Sequence, residues 1–323
     1  MDQDEDTQEV LSDVHVHMTH TVITHTYSDT TNTVAVSRFY LKDKTLNEKG
    51  NNVNRLQSAH IEVDDDGDLD VTRKPSEDVV AITIEHALQT KLEDVGKQVW
   101  QGCLLLADFI IHNQSDFSNA TILDLGAGVG LTSIIAGMFA RKVFLTDVGA
   151  AILNMAEKNV ALNQHLFPHG SSVCVRHLDW QQANPFTPTE DGHSNDTSIY
   201  QFKETDQPDL LDVTIMLAAE VIYDLDLTES FFRTILNLMS TSPKTLYISL
   251  EKRIVFTTHD LDVASPAYEH FCDCLDELVK RSDDQCAFEY SCIPCDFPQF
   301  FNYNRTKELE LWKIVSRHGK TDK

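Results

Sequence analysis

Hydrophobic and polar positions change period repeatedly along this chain. Short apolar runs fall at 121–125, 141–147, 171–180, 212–224, 245–251, 286–293 and 309–316. Runs of that length, bounded by polar and turn residues, predict strands. Segments 93–113, 131–140, 150–163, 227–240 and 264–281 lie between or beside them and read as helices. In 93–113, Val95, Val99, Leu106 and Ile110 recur at helical intervals. Leu104, Leu105, Ala107 and Phe109 widen that stripe, as in a well-buried helix. Val213 to Ala218 is apolar without a break, the mark of a parallel strand covered on both faces. Alternation of this kind predicts an open α/β sheet, with ligands beyond the carboxyl ends of its strands.

The first 80 residues break the rhythm. Val14 to Tyr40 is rich in Thr, Val and His with partial alternation, which predicts one or two strands. The polar run 42–54 lacks any period and reads as loop or disorder. His15, His17, His20 and His25 match no zinc spacing, and they read as exposed strand histidines. In Glu62 to Asp70 a calcium-loop frame built on Gly67 would put Arg73 where the bidentate Glu belongs, so this run reads as a solvated acidic linker. Residues 1–75 are therefore expected to form an acidic N-terminal extension, partly disordered with some strand, and 76–323 the folded domain.

Charge narrows the partners. The formal charge is −25; residues 1–80 hold 17 acidic and 7 basic side chains, a net of −10, and the remaining −15 lies beyond them. Such a field repels nucleic acid and favours basic protein partners. No apolar run approaches the ~20 residues that span a bilayer, so no membrane contact is expected. The acidic N-terminus lacks the pattern of a signal peptide. Seven cysteines in a chain of this length point to a reducing compartment.

The candidate chemistry centres on Thr121 to Gly130, TILDLGAGVG. An apolar strand runs into Gly126, Gly128 and Gly130, and a helix follows. Glycines let the backbone turn and approach a ligand, and the first helical N–H groups face it. The dinucleotide fingerprint fails because its third position is Leu131, and the phosphate-binding loop fails for want of a lysine. Asp147 ends the next strand, 21 residues after Gly126, where a nucleoside fold places the carboxylate that binds ribose hydroxyls. Asp179 and Trp180 end the third strand, and Glu220 and Tyr223 follow the fourth. Four strand ends carrying such residues predict one shared site. Trp100, inside the helical segment, is either core or a cover over the ligand.

Asp124 followed by G-x-G-x-G resembles motif I of the class I S-adenosylmethionine-dependent methyltransferases. GKQVW, LDLGAGVG, LTD, LDW and AAEVIYD occur in an order and at spacings that resemble the family 16 (methyltransferase-like) protein methyltransferases, over about residues 79–316. The resemblance implies a seven-stranded, Rossmann-like class I methyltransferase fold. It implies S-adenosylmethionine as cofactor, with Gly126, Ala127 and Gly128 at its methionine part and Asp147 on its ribose. Asp179 and Trp180 would hold the adenine, Trp100 would line the pocket, and Ala219 would touch it through its backbone. Glu220 and Tyr223 fall on the family's D-x-x-Y element, with Glu in place of Asp, and are the expected catalytic pair.

The implied activity is protein-lysine N-methylation of a nuclear, nucleic-acid-binding protein, with chaperones among the partners. The implied location is the nucleus, with the cytoplasm as a second compartment, and a monomer is expected. Two rivals stand beside it: a small-molecule methyltransferase, and a non-catalytic protein that keeps the cofactor fold. Asn184-Pro185-Phe186 lacks the second proline of the amide- and adenine-methylating element and reads as loop. Cys292 and Cys295 lack the complementary pair that zinc needs, so no metal is expected.

Overall fold

Apolar strands without alternation need cover on both faces, and the chain provides it. The computed structural model describes residues 9–11, 14, 34–42, 79–182, 186, 197–257 and 262–319. The first strands pair off as two small antiparallel sheets: β1 (Glu9–Leu11) with β4 (Gln89–Lys91), and β2 (Val34–Lys42) with β3 (Val79–Ala87). The main sheet takes β5 (Thr121–Leu125), β6 (Lys142–Asp147), β7 (Ser172–His177), β8 (Val213–Ala219) and β9 (Thr245–Glu251), all parallel. A short hairpin, β10 (Val255–Thr257) and β11 (Asp262–Ala264), precedes the last two strands. These are β12 (Cys286–Ile293) and β13 (Leu309–His318), and β13 lies antiparallel between β9 and β12. The resulting order is β12-β13-β9-β8-β5-β6-β7, the seven-stranded class I methyltransferase sheet that the resemblance implied.

Successive strand residues point to opposite faces, so each strand feeds two cores. Ile122, Val143, Ile215 and Leu217 face one side. There they meet α1 (Gln101–His112) and α3 (Leu131–Gly137), together with Ile82 and Ile84 of β3. Leu123, Leu125, Met216 and Ile248 face the other side, against α6 (Leu225–Met239) and α7 (Pro266–Lys280). Two short helices, α2 (Gln114–Phe117) and α5 (Gln207–Leu211), serve as connectors, and α4 (Ala150–Leu162) covers β6 and β7. Ten of the twelve residues of α1 are buried. At about 1.5–3 kcal/mol for each large apolar side chain, packing rather than intrinsic propensity holds this helix. Among the described residues no helix is long and apolar enough to cross a membrane.

The single helix expected over 93–113 is a correction. Leu92–Lys97 forms a 3-10 turn, Gln98 and Trp100 are extended, and the α-helix begins only at Gln101. Tertiary contacts force the break. Gln98 Nε2 donates to Val10 O at 2.9 Å and to Thr90 Oγ1 at 2.7 Å, and Gly96 packs on Gly128. The third strand stops at His177 instead of 180: the last ladder bond runs from the Leu178 amide to the Asp147 carbonyl at 3.1 Å, and the chain then turns at Asp179, whose Oδ1 accepts from Gln181 N at 2.9 Å. The C-terminal segment is fastened to α1 through Asp108. Its carboxylate accepts from Phe300 N (2.7 Å), Tyr303 Oη (2.8 Å) and Arg305 Nη2 (2.5 Å), and burial still pushes the carboxyl up to about 6.

The four N-terminal histidines, the polar stretch 43–54, the acidic run at 62–70 and Asn184-Pro185 lie outside the described residues. Among the described residues no group of three or more His, Cys, Asp or Glu side chains is placed to hold a metal.

Candidate active site

A cavity of about 250 Å³ opens at the carboxyl end of the sheet. The ten residues expected to bind the cofactor or to act on the acceptor all line it. Trp100 stands on one wall, Gly126, Ala127 and Gly128 form the loop, and Asp147, Asp179 and Trp180 follow from the next two strands. Ala219, Glu220 and Tyr223 arrive from β8. Residues scattered over more than 120 positions meet here because parallel strands end on the same side.

The glycine loop is a cradle that admits no Cβ at Gly126 or at Gly128. Gly126 has φ +68°, and a Cβ built on it would lie 2.8 Å from Val221 Cγ1 and 2.9 Å from Trp180 Cη2. Gly128 has φ +55°, and its Cβ would meet the Gly96 carbonyl at 2.6 Å. Asp124 fastens the loop from below: its Oδ2 accepts from Thr132 Oγ1 (2.7 Å) and Ser133 Oγ (2.6 Å), in the first turn of α3. The acid of the motif therefore holds the helix and does not line the cavity.

Asp147 accepts from Gly128 N through Oδ2 and from Val148 N through Oδ1, each at 2.7 Å. Burial pushes its carboxyl up to about 6 against those two bonds. Each oxygen keeps a lone pair for a further donor. Asp179 Oδ1 accepts from Gln181 N at 2.9 Å. The Trp180 ring packs edge-on to Phe231 with centroids 5.1 Å apart, and its buried Nε1–H meets no acceptor among the described residues.

Glu220 sits at the end of β8 with φ +58°, a left-handed conformation that costs a side-chain-bearing residue about 1–2 kcal/mol. Its carboxylate is 6% exposed. Oε1 accepts from Gly102 N at 2.9 Å, so Glu220 satisfies a donor in the first turn of α1, where Trp100 offers no side-chain cap. Burial raises the carboxyl to about 7, with Glu251 adding repulsion, while Arg253 and the Gly102 amide oppose the rise. Tyr223 is not core: it is 40% exposed at the mouth.

Sequence reading missed four participants. Gly102 yields space to Glu220 Oε1, which would lie 2.5 Å from a Cβ there. Gly96 supports the loop. Cys103 lines the cavity, yet burial pushes its thiol up to about 12, so it is no nucleophile near neutrality. Arg253 lies over the Trp100 ring, 4.8 Å from its centroid. Only Gly96 stood inside a quoted motif; the others carry no local signal.

The fold, the Cβ-excluding loop and a strand-ending carboxylate on the next strand define a class I methyltransferase. The profile of the lysine methyltransferase family matches residues 81–276, and the chain belongs to that family. It is 39% identical over 306 residues to methyltransferase-like protein 22 of Homo sapiens, across 83% of this chain and 74% of the relative. The mouse protein of the same name is 39% identical over 298 residues, across 80% and 74%. The protein-lysine N-methyltransferase EEF2KMT of Mus musculus is 25% identical over 235 residues, across 69% and 60%. The chain is thus an enzyme of lysine methylation whose methyl donor is S-adenosylmethionine.

Proposed function

We propose that this enzyme methylates a lysine side chain of a basic, nucleic-acid-binding protein of the nucleus. The observation that carries the acceptor side is Glu220: a buried carboxylate fixed by the Gly102 amide beside the glycine loop, in a cavity whose mouth Tyr223 flanks. The charge of −25 favours a basic protein partner. Nuclear location, a second cytoplasmic pool, chaperone partners and a monomeric state extend the same reading and rest on the family resemblance.

The cofactor supplies a methyl group on a sulfonium, open to in-line displacement. The loop Gly126-Ala127-Gly128 would hold its methionine part, and the Asp147 carboxylate its ribose hydroxyls. Asp179 and Trp180 would hold the adenine, with Trp100 and the Ala219 backbone completing the walls. A lysine near pKa 10.4 is neutral in about one molecule per thousand at pH 7.4. Glu220 draws in and orients the ammonium, and its raised pKa lets it take the proton. The neutral amine left beside Glu220 would carry the lone pair that transfer of the sulfonium's methyl group requires. Tyr223 shapes the entrance for the side chain.

The test is transfer of labelled methyl from S-adenosylmethionine into a nuclear extract, with Gly126→Arg and Glu220→Ala as controls. A labelled protein band lost in both variants is the expected result. Tight cofactor binding with no labelled protein would overturn the lysine reading and leave a small-molecule enzyme or a non-catalytic binding protein.

A further inference from the structure

Beside the cavity stands a cation that the proposed chemistry does not use. Arg253 follows β9 by two residues. Its guanidinium lies over the Trp100 ring at 4.8 Å, and its Nη2 is 4.0 Å from Glu220 Oε2. Its side chain is 47% exposed, so one end of the contact is open to solvent. An aromatic face and a carboxylate around one positive charge form a set of groups that recognises an ammonium ion. A substrate lysine drawn to Glu220 meets these same two groups.

We propose that Arg253 is an internal stand-in for the substrate ammonium, seated between Trp100 and Glu220 in the free enzyme and displaced when a lysine side chain enters. This inference rests on the acceptor site described under the proposed function. Arginine suits the place chemically. A guanidinium stays protonated at any working pH, so it holds the position without offering a lone pair to the methyl donor. Its partial exposure keeps the contact weak enough to give way. The consequence is selectivity. A free amine must compete with a tethered cation, whereas a lysine within a protein brings further binding energy from its surroundings. Arg253 is in this sense a specificity-determining residue.

The probe is n-butylammonium, a lysine side chain without its backbone, titrated at pH 8 into the full chain. The chain has three tryptophans, so three indole N–H resonances are expected, each assigned with a Trp→Phe variant. The Trp100 indole donates to Val95 O at 3.1 Å and reports on its own ring face. If Arg253 fills the place four-fifths of the time, Arg253→Ala lowers the titration midpoint about fivefold. Glu220→Gln removes the saturable shift. A midpoint unchanged or raised in Arg253→Ala overturns the proposal, the second because Arg253 would then help to build the site. Failure of methyl labelling would strike the proposed function while leaving this titration readable. Intact labelling with an unchanged midpoint would strike this inference alone.

Discussion

Glu220→Gln should make this enzyme more stable while disabling it. The folded carboxyl sits at about 7 against an ordinary 4.5. Between those values the folded chain holds a proton that the unfolded chain has released, so stability falls as pH rises through the window. The contribution of the neutral carboxyl is complete below about 4.5 and is lost above about 7. At about 1.4 kcal/mol per pH unit, the ionised form costs roughly 1 kcal/mol at pH 5.5 and roughly 3 kcal/mol at pH 8.5. Glutamine is neutral throughout, and its carbonyl oxygen still accepts from Gly102 N. Its NH2, set against the Glu251 backbone N–H and Arg253, takes a pH-independent amount off the gain. The gains in melting temperature are therefore ceilings, and their difference between the two pH values is the quantity tested. With about 2.1 cal/mol/K per residue, the variant should melt about 2 °C higher at pH 5.5 and about 4 °C higher at pH 8.5. Comparing variant with wild type cancels Asp108 and Asp147, which burial also raises. The assay is differential scanning calorimetry at the two pH values, with cofactor absent. A variant that melts lower at pH 8.5, or a difference independent of pH, would refute the reasoning. It would mean that the ionised Glu220 is a stabilising cap and that burial does not strain it.

Three further outcomes are expected. Gly128→Ala meets both a left-handed backbone and a 2.6 Å contact with Gly96 O, whereas Gly149→Ala has φ +81° with nothing within 4 Å; calorimetry should show about 1–2 kcal/mol lost at Gly149 and roughly 2–5 kcal/mol at Gly128, and equal losses would mean that Gly96 gives way freely. Asp147→Asn turns a side-chain N–H toward a backbone N–H and should weaken cofactor binding by roughly 30-fold or more in isothermal titration, with wild-type affinity as the contrary result. Asp108→Ala leaves the Arg305 guanidinium, 13% exposed, without its carboxylate. A loss of roughly 3–5 kcal/mol in denaturant unfolding follows, and a loss below about 1 kcal/mol would show that water replaces the pair.

Much of this molecule was legible in order along the chain. Strands 245–251 and 286–293 begin and end where the apolar runs do, since those runs depend on residues a few positions apart. Helix α6 starts where Asp224 accepts from the Leu227 amide at 2.8 Å, a contact within one turn. The glycine loop and the strand-ending acids were readable because a tight turn and a carboxylate at a fixed distance beyond it are local demands. The site's ten candidate residues were brought together by the parallel sheet, whose strand ends face one way.

The remaining decisions belonged to tertiary structure. Glu220 bonds an amide 118 residues away, and Arg305 reaches Asp108 across 197. No period in the sequence encodes such pairs. The helical stripe at 93–113 is present in the residues, yet the helix breaks there because Gly96 must lie against Gly128 and Gln98 must reach Val10 and Thr90. The placement of β13 between β9 and β12, and of Arg253 over Trp100, likewise follows from which surfaces meet. Local periodicity sets what each segment can become. Burial of charge and exclusion of volume exist only once distant segments touch, so the chemistry of Glu220 is a property of the fold, while the residues that invite it are a property of the sequence.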